Sequence, residues 1–126
     1  MNTTKPYETL IVSGCEYHLK FTTANAVKLE DTLNMDLLTG SEKLAEIRIL
    51  ANYFFAATVS LNDNINKLED VYQVFDDYIT EGGTYNNLQQ LVIEALITSG
   101  IMSREIYDAS KKAAEKQLEA LKKSLI

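Results

Sequence analysis

The chain has 126 residues, 46% of them hydrophobic and 24% charged, which suits one soluble globular domain and argues against wholesale disorder. One proline and five glycines exclude collagen-like architectures, and the single Cys15 excludes an internal disulfide framework or a cysteine metal cluster and points to a reducing compartment. Twelve basic against eighteen acidic residues give a net charge of −6, a balance that disfavours non-specific binding to nucleic acid.

The opening residues, Met1 to Pro6, lack the apolar core of a signal peptide. Every apolar run along the chain is interrupted before the ~20 residues that a membrane span needs. These features lead to the expectation of a cytoplasmic protein. Two β-prone runs follow, Tyr7 to Val12 and Glu16 to Phe21, joined through Ser13-Gly14. In the second run Tyr17, Leu19 and Phe21 alternate with Glu16, His18 and Lys20, and Ser-Gly between such runs predicts a β-hairpin. A lone hairpin is marginal in water, so its Tyr17/Leu19/Phe21 face requires a cover.

The cover is predicted to be helical. Thr22 or Thr23 caps a first helix running to Asn34, with Ala26, Leu29 and Leu33 on one face. Thr39 and Glu42 have the spacing of a capping box, and after them Leu44, Ile47, Leu50/Ala51, Phe54/Phe55 and Thr58 recur at helical spacing. Near Phe54 the pattern is apolar most of the way round, which marks the core helix. Asn62-Asp63-Asn64 breaks it, and Asn66 with Glu69 supplies a second capping pattern for a helix striped by Leu68, Val71/Tyr72, Phe75 and Ile79. Gly82-Gly83 ends that helix. Thr84 to Ser99 forms the next, with Leu88, Leu91/Val92, Ala95 and Leu96 inward and Gly100 as its C-cap glycine.

From Ser103 onward Ala, Glu, Lys and Leu dominate, and Ala114, Leu118, Leu121 and Leu125 repeat at the 4–3–4 spacing of a narrow apolar seam. This segment carries six basic residues against four acidic, leaving six against fourteen for the rest. The expected architecture is therefore α+β and mostly α: an N-terminal antiparallel hairpin packed on four or five helices over residues 1–101, then an amphipathic C-terminal helix with freedom to move over 102–126. Leu118, Leu121 and Leu125 are the candidate partner-binding residues, with folding back onto the domain's own core as the competing placement.

Residues with chemical potential do not assemble into a catalytic pattern. His18 sits on the polar phase of a strand and has no nucleophile beside it in sequence. Cys15 adjoins Glu16, which raises rather than lowers a thiol pKa. Neighbouring carboxylates at Asp76-Asp77 and Glu69-Asp70 diverge by ~100° on a helix, so neither pair converges alone on a metal. Asn62 to Asn66 lacks the glycine and the terminal glutamate of a calcium loop. Gly82-Gly83 has no Lys-Ser/Thr sequel for a phosphate loop. The seven tyrosines are scattered without the interleaved basic residues of a base-stacking platform. The expectation is a protein without catalytic activity, cofactor or metal, working through contact with other chains.

The block from Thr9 to Phe21, the helix from Thr22 to Asn34 with Leu29-Glu30 at its centre, and the apolar step Asp36-Leu37-Leu38 resemble the opening of the tail assembly chaperones of long-tailed bacteriophages and prophages of Gram-positive bacteria. The resemblance covers residues 9–40. It implies a non-enzymatic protein of the host cytoplasm that binds the tape measure protein, keeps it soluble while major tail tube subunits are recruited, self-associates, and is absent from the mature virion. It also implies a longer product made by ribosomal frameshifting, for which Lys111-Lys112 or Lys122-Lys123 offers a place where a slippery codon run can lie. The alternative reading is a small bacterial or phage adaptor or inhibitor acting on a single protein partner.

Overall fold

A computed structural model describes residues 6–125; residues 1–5, which open the stretch read above for a leader, and Ile126 lie outside them. The hairpin pairs β1 (Glu8–Val12) with β2 (Cys15–Leu19), antiparallel, with Leu10 opposite Tyr17 and Val12 opposite Cys15. Six helices follow: α1 (Thr23–Leu33), α2 (Leu37–Ser41), α3 (Ile47–Thr58), α4 (Leu68–Thr80), α5 (Tyr85–Thr98) and α6 (Arg104–Ser124). The mostly-α α+β expectation holds, with the one-turn α2 as the addition to the predicted set.

The hairpin turns as its sequence requires. Ser13 and Gly14 both have positive φ, 51° and 77°, the two-residue loop that matches strand twist. Serine rarely occupies that region, and here the Glu81 carboxylate holds it by accepting from both the backbone N–H and the hydroxyl of Ser13 at 2.7 Å. Tyr17 and Leu19 point inward and are buried. Phe21 is buried too, although the strand has already ended.

The strand ends because its backbone is diverted. Counting from the closing pair Val12–Cys15, His18 lies in a non-hydrogen-bonded pair, so its N–H and C=O face away from β1. Asn62 meets both groups: Oδ1 accepts from the His18 N–H at 3.0 Å and Nδ2 donates to the His18 carbonyl at 2.8 Å. The same Nδ2 reaches the Thr58 carbonyl at 2.8 Å. Two residues on, the Lys20 N–H donates to Ala57 O at 2.9 Å and the Phe21 N–H to Ser99 Oγ at 2.9 Å. The β2 edge of the sheet is thereby closed by the end of α3, the loop after it and Ser99 rather than by a third strand.

α3 is the core helix, as predicted: Ile49, Leu50, Ala51, Tyr53, Phe54, Ala56, Ala57 and Thr58 are all buried. Ile47, placed on the inward stripe by spacing, is half exposed instead, at the first position of the helix. Phe54 meets Phe75 edge-on at 5.2 Å, and Phe75 meets Tyr85 at 6.1 Å, so α3, α4 and the start of α5 are joined by a chain of T-shaped aromatic contacts. Asn25 on α1 is buried; its Nδ2 donates to Ala56 O at 3.2 Å and to Ser60 Oγ at 2.8 Å, fastening α1 to the end of α3.

Three helix starts bear on the capping expectations. Thr22 caps α1 by accepting from the Asn25 N–H at 3.1 Å. The predicted Thr39–Glu42 capping box does not form. Thr39 lies inside α2, whose cap is Asp36, accepting from the Thr39 N–H at 3.1 Å and from its hydroxyl at 2.6 Å. Tertiary packing fixes this choice: α2 lies against α3, where the Tyr53 hydroxyl donates to Leu37 O at 2.6 Å and a Cβ at position 40 would collide with it, so Gly40 must lie at the contact. Burial pushes the Tyr53 phenol well above its ordinary pKa. At α4 the predicted Asn66–Glu69 box does not form; the N-cap is Lys67, which has no side-chain acceptor, so only the reverse half is present, one residue on. Asp70 reaches back to accept from the N–H groups of Asn66 and Lys67, at 2.8 and 3.1 Å. The buried stripe of α4 is accordingly Val71, Val74 and Phe75, and Tyr72 is exposed.

The helix expected from Thr84 to Ser99 is α5, and Thr84 proves to be its N-cap, accepting from the Asn87 N–H at 3.2 Å. Gly100 has φ of +80° while the Ile101 N–H returns to Leu96 O at 3.0 Å, the predicted glycine stop. Among the described residues no helix is long and apolar enough to cross a membrane, and no buried side-chain nitrogen or oxygen lacks a hydrogen-bond partner.

Asn62→Ala leaves the outward N–H and C=O of His18 without partners, and the loss of stability is about 2 kcal/mol, read as a lower urea midpoint at unchanged m-value. The carboxyls of Asp36 and Asp70 are held below the ordinary carboxylate range, the first mainly by the Thr39 hydroxyl and the second by the Asn66 and Lys67 N–H groups. A depressed folded-state pKa stabilises above the unfolded value and the benefit is lost as pH falls through the folded one. Acidification through and below the ordinary carboxylate range therefore loosens the first turns of α2 and α4, seen as weakening amide protection there, and Asp70→Asn removes the α4 component of that pH dependence.

Candidate interaction surface

The residues with chemical potential are dispersed by the fold. His18 is half-buried rather than exposed as expected for a polar strand position, because Tyr7 tilts over its ring at 4.3 Å and Thr9, directly opposite across the ladder, places Oγ1 at 3.3 Å from Nδ1. Cys15 is free and exposed at the hairpin turn. Tyr17 is buried beside it, and burial, reinforced by the nearby thiol, raises its pKa. Asp77 accepts from Gln73 at 2.9 Å along its own helix, and Asp70 is committed to its cap. Asn62 and Asn64 bind the backbone of His18 and the Tyr17 hydroxyl, so this loop is structural. Among the described residues no group of three or more His, Cys, Asp or Glu side chains is placed to hold a metal ion.

The apolar surface is organised differently. Ser103 caps α6 weakly, with the Ile106 N–H 3.4 Å from its hydroxyl. Arg104 forms a two-pronged ion pair with Glu94 of α5, one prong at 2.9 Å, and the Tyr107 hydroxyl lies 3.3 Å from Gln90. Packing against the core continues through Ile101, Met102 and Tyr107; from residue 108 to 125 every residue is exposed. Leu118, Leu121 and Leu125 are 54%, 61% and 84% exposed. These leucines are not folded back onto the core in this structure. They continue the line that Tyr107 begins at the body and carry it outward, on a helix about 31 Å long at 1.5 Å per residue. The face behind them carries Lys112, Glu119 and Lys123.

The body has its own apolar recess. Phe21, Ala26, Val27, Leu37, Leu38 and Ile101 line a groove of about 450 Å³ between α1, α2 and the residues after α5. Val27 and Leu38 form its lips, 50% and 52% exposed. Glu30 and Asp36 add acidic groups to its lining, and with Asp31 they also line a neighbouring recess. The Glu30 carboxylate also accepts from the Leu37 N–H at 3.1 Å, which fixes the angle between α1 and α2 that opens the groove. Sequence periodicity passes over Val27 and Leu38 because neither lies on a predicted inward stripe. That misfit, an apolar residue off its stripe, is the sign by which they could have been found. A second hollow of about 320 Å³, lined in part by Leu29, Phe55 and Val59, lies between α1 and α3.

Neither a family model, nor a curated protein, nor a solved structure matches this chain.

Proposed function

We propose that this protein is a non-enzymatic phage tail assembly chaperone, which binds the tape measure protein and keeps it soluble while tail tube subunits are recruited. The observation that carries the proposal is the uncovered leucine stripe of α6, anchored to a well-packed body at Tyr107 and Arg104. A long helical client exposes apolar seams before its tube forms around it, and an amphipathic helix covers such a seam by packing leucines between the client's own. The acidic body contributes the other requirement of a chaperone, because its net negative charge keeps a complex with exposed apolar surface dispersed. The hairpin, the Thr22 cap and the first helix lie within the stretch that resembles that family, and they support the same reading. Its place of action is then the host bacterial cytoplasm, and the finished virion lacks it.

Co-expression with a fragment of the tape measure protein tests the proposal. The expected result is a soluble complex that elutes as one species, where the fragment alone precipitates. Leu118→Asp with Leu121→Asp weakens capture by at least about tenfold, because two charges are forced into the contact. The thermal transition of the body stays within about a degree or two, since both side chains are already exposed. A fragment that remains insoluble beside the wild-type chain refutes the chaperone reading, and soluble capture of a different single partner supports the adaptor reading in its place.

A further inference from the structure

We propose that the open edge of β1 receives an extended, cationic segment of a partner protein, which adds a third strand to the hairpin. This surface is not used by the function proposed above, and neither claim depends on the other.

The two edges of the hairpin differ. On β2 the outward groups of His18 are met by Asn62, and the N–H groups of Lys20 and Phe21 by Ala57 O and Ser99 Oγ. On β1, Thr9 lies opposite His18 and Ile11 opposite Glu16, both in non-hydrogen-bonded pairs. Their N–H and C=O groups therefore point away from β2, and none of these groups meets a partner among the described residues. Ile11 is 62% exposed. The pairing runs without a bulge from Glu8 to Val12, so the edge stays straight and its donors and acceptors alternate at strand spacing. One chemistry matches such a row: the backbone of another extended segment.

Charge names the kind of segment. A carboxylate stands at each end of the edge: Glu8 opens β1, and Glu81 sits beside Ser13, just past its close. Each is engaged through Oε1, by the Thr98 hydroxyl and by Ser13 respectively. Those donors are neutral, so both negative charges are retained and each Oε2 has room for a further donor. Neither carboxylate forms an ion pair among the described residues; Arg104, the cation that acts on Glu8, is paired with Glu94. From Glu8 to Ser13 the chain advances five residues, about 17 Å when extended. A strand with lysine or arginine five positions apart and β-branched residues between them meets both ends.

The same carboxylates disfavour the simplest competitor, the β1 edge of a second copy. Laid antiparallel, it sets Glu8 of each chain toward the Glu81 end of the other; laid parallel, it sets like beside like. Both directions bring acidic groups together, so the occupant is a different, basic chain.

Amide NMR of the full-length chain tests this with a six-residue peptide, blocked at its termini, that has lysine at both ends and alternating threonine and valine between. In the free chain the Thr9 and Ile11 amides exchange quickly, while those of Leu10 and Val12, which face β2, are protected. With the peptide, the largest shifts fall on Thr9 and Ile11 and their exchange slows at least about tenfold. Glutamate in place of both lysines weakens binding at least about tenfold. Glu81→Gln keeps an acceptor for Ser13 but removes the charge, and lowers affinity about threefold to tenfold. Ile11→Pro removes an outward donor and no ladder bond, as prolines on edge strands do, and lowers affinity at least about tenfold. If that variant loses the hairpin, peptides N-methylated at alternate positions replace it on the wild-type chain, and at least one of the two phases blocks binding. Leu118→Asp with Leu121→Asp leaves peptide binding unchanged. Absent shifts at Thr9 and Ile11, equal binding of the glutamate peptide, wild-type affinity in a folded Ile11→Pro chain, or binding by both N-methylated phases each overturns the proposal. Protection of Thr9 and Ile11 that grows with protein concentration alone identifies edge-to-edge pairing of two copies and overturns it as well.

Discussion

The burial of α3 governs the rest of the molecule. A helix with apolar side chains on nearly every side cannot lie at a surface; it must be enclosed. The hairpin packs on it from one direction, α1 and α2 from another, and α4 and α5 from a third. Each covering element contributes only a stripe, and none has enough apolar area to fold alone. Tyr53 and Phe54, adjacent in sequence and both fully buried, show how the enclosure is divided. Tyr53 faces Phe21 and α2, while Phe54 faces Phe75 on α4.

Enclosure leaves polar backbone to be satisfied where elements meet, and a few side chains satisfy it. A two-stranded sheet has two open edges and is weak by itself. Asn62 closes one edge by offering His18 the donor and acceptor that a neighbouring strand would have offered. Asn25 donates from α1 to the Ala56 carbonyl in the last turn of α3. Glu81 steadies Ser13 in a backbone region that serine seldom occupies. These are amide and carboxylate groups of short reach, so each also fixes a distance. The body owes its defined geometry, including the α1–α2 groove, to such contacts as much as to its hydrophobic core.

What was legible in the sequence was whatever depends on neighbours in sequence. Ser13-Gly14, Thr22 and Gly100 act within a few residues of themselves, and each does what its pattern implies. The failures share a cause. Thr39 and Glu42 satisfy a capping rule, but Gly40 between them is claimed by Tyr53, and Asp36 takes the cap. Asn66 and Glu69 satisfy it too, but Asp70 reaches two N–H groups at once and wins by one residue. Asn62 read as a pattern-breaker because its partner His18 is 44 residues away. The groove was invisible for the same reason: its walls come from the residues around Phe21–Leu38 and from Ile101, which only the fold brings together.

The energetics of α6 bear on how the proposed chaperone would hold a client. An isolated amphipathic helix has little stability of its own in water, and covering three exposed leucines contributes roughly 1 kcal/mol apiece. After the cost of association, a contact of that size is weak when made once. A long client with repeated apolar seams offers many such contacts in a row. Many copies engaged on one client together hold it far more firmly than any single contact would. Weakness of the single contact is then useful: the set holds while many copies are engaged and comes off stepwise as each stretch of client is covered by something stronger. A single tight site on the body would hold the client firmly but could not release it progressively. A short apolar stripe on an otherwise charged helix fits the proposed role better than a deep cleft would.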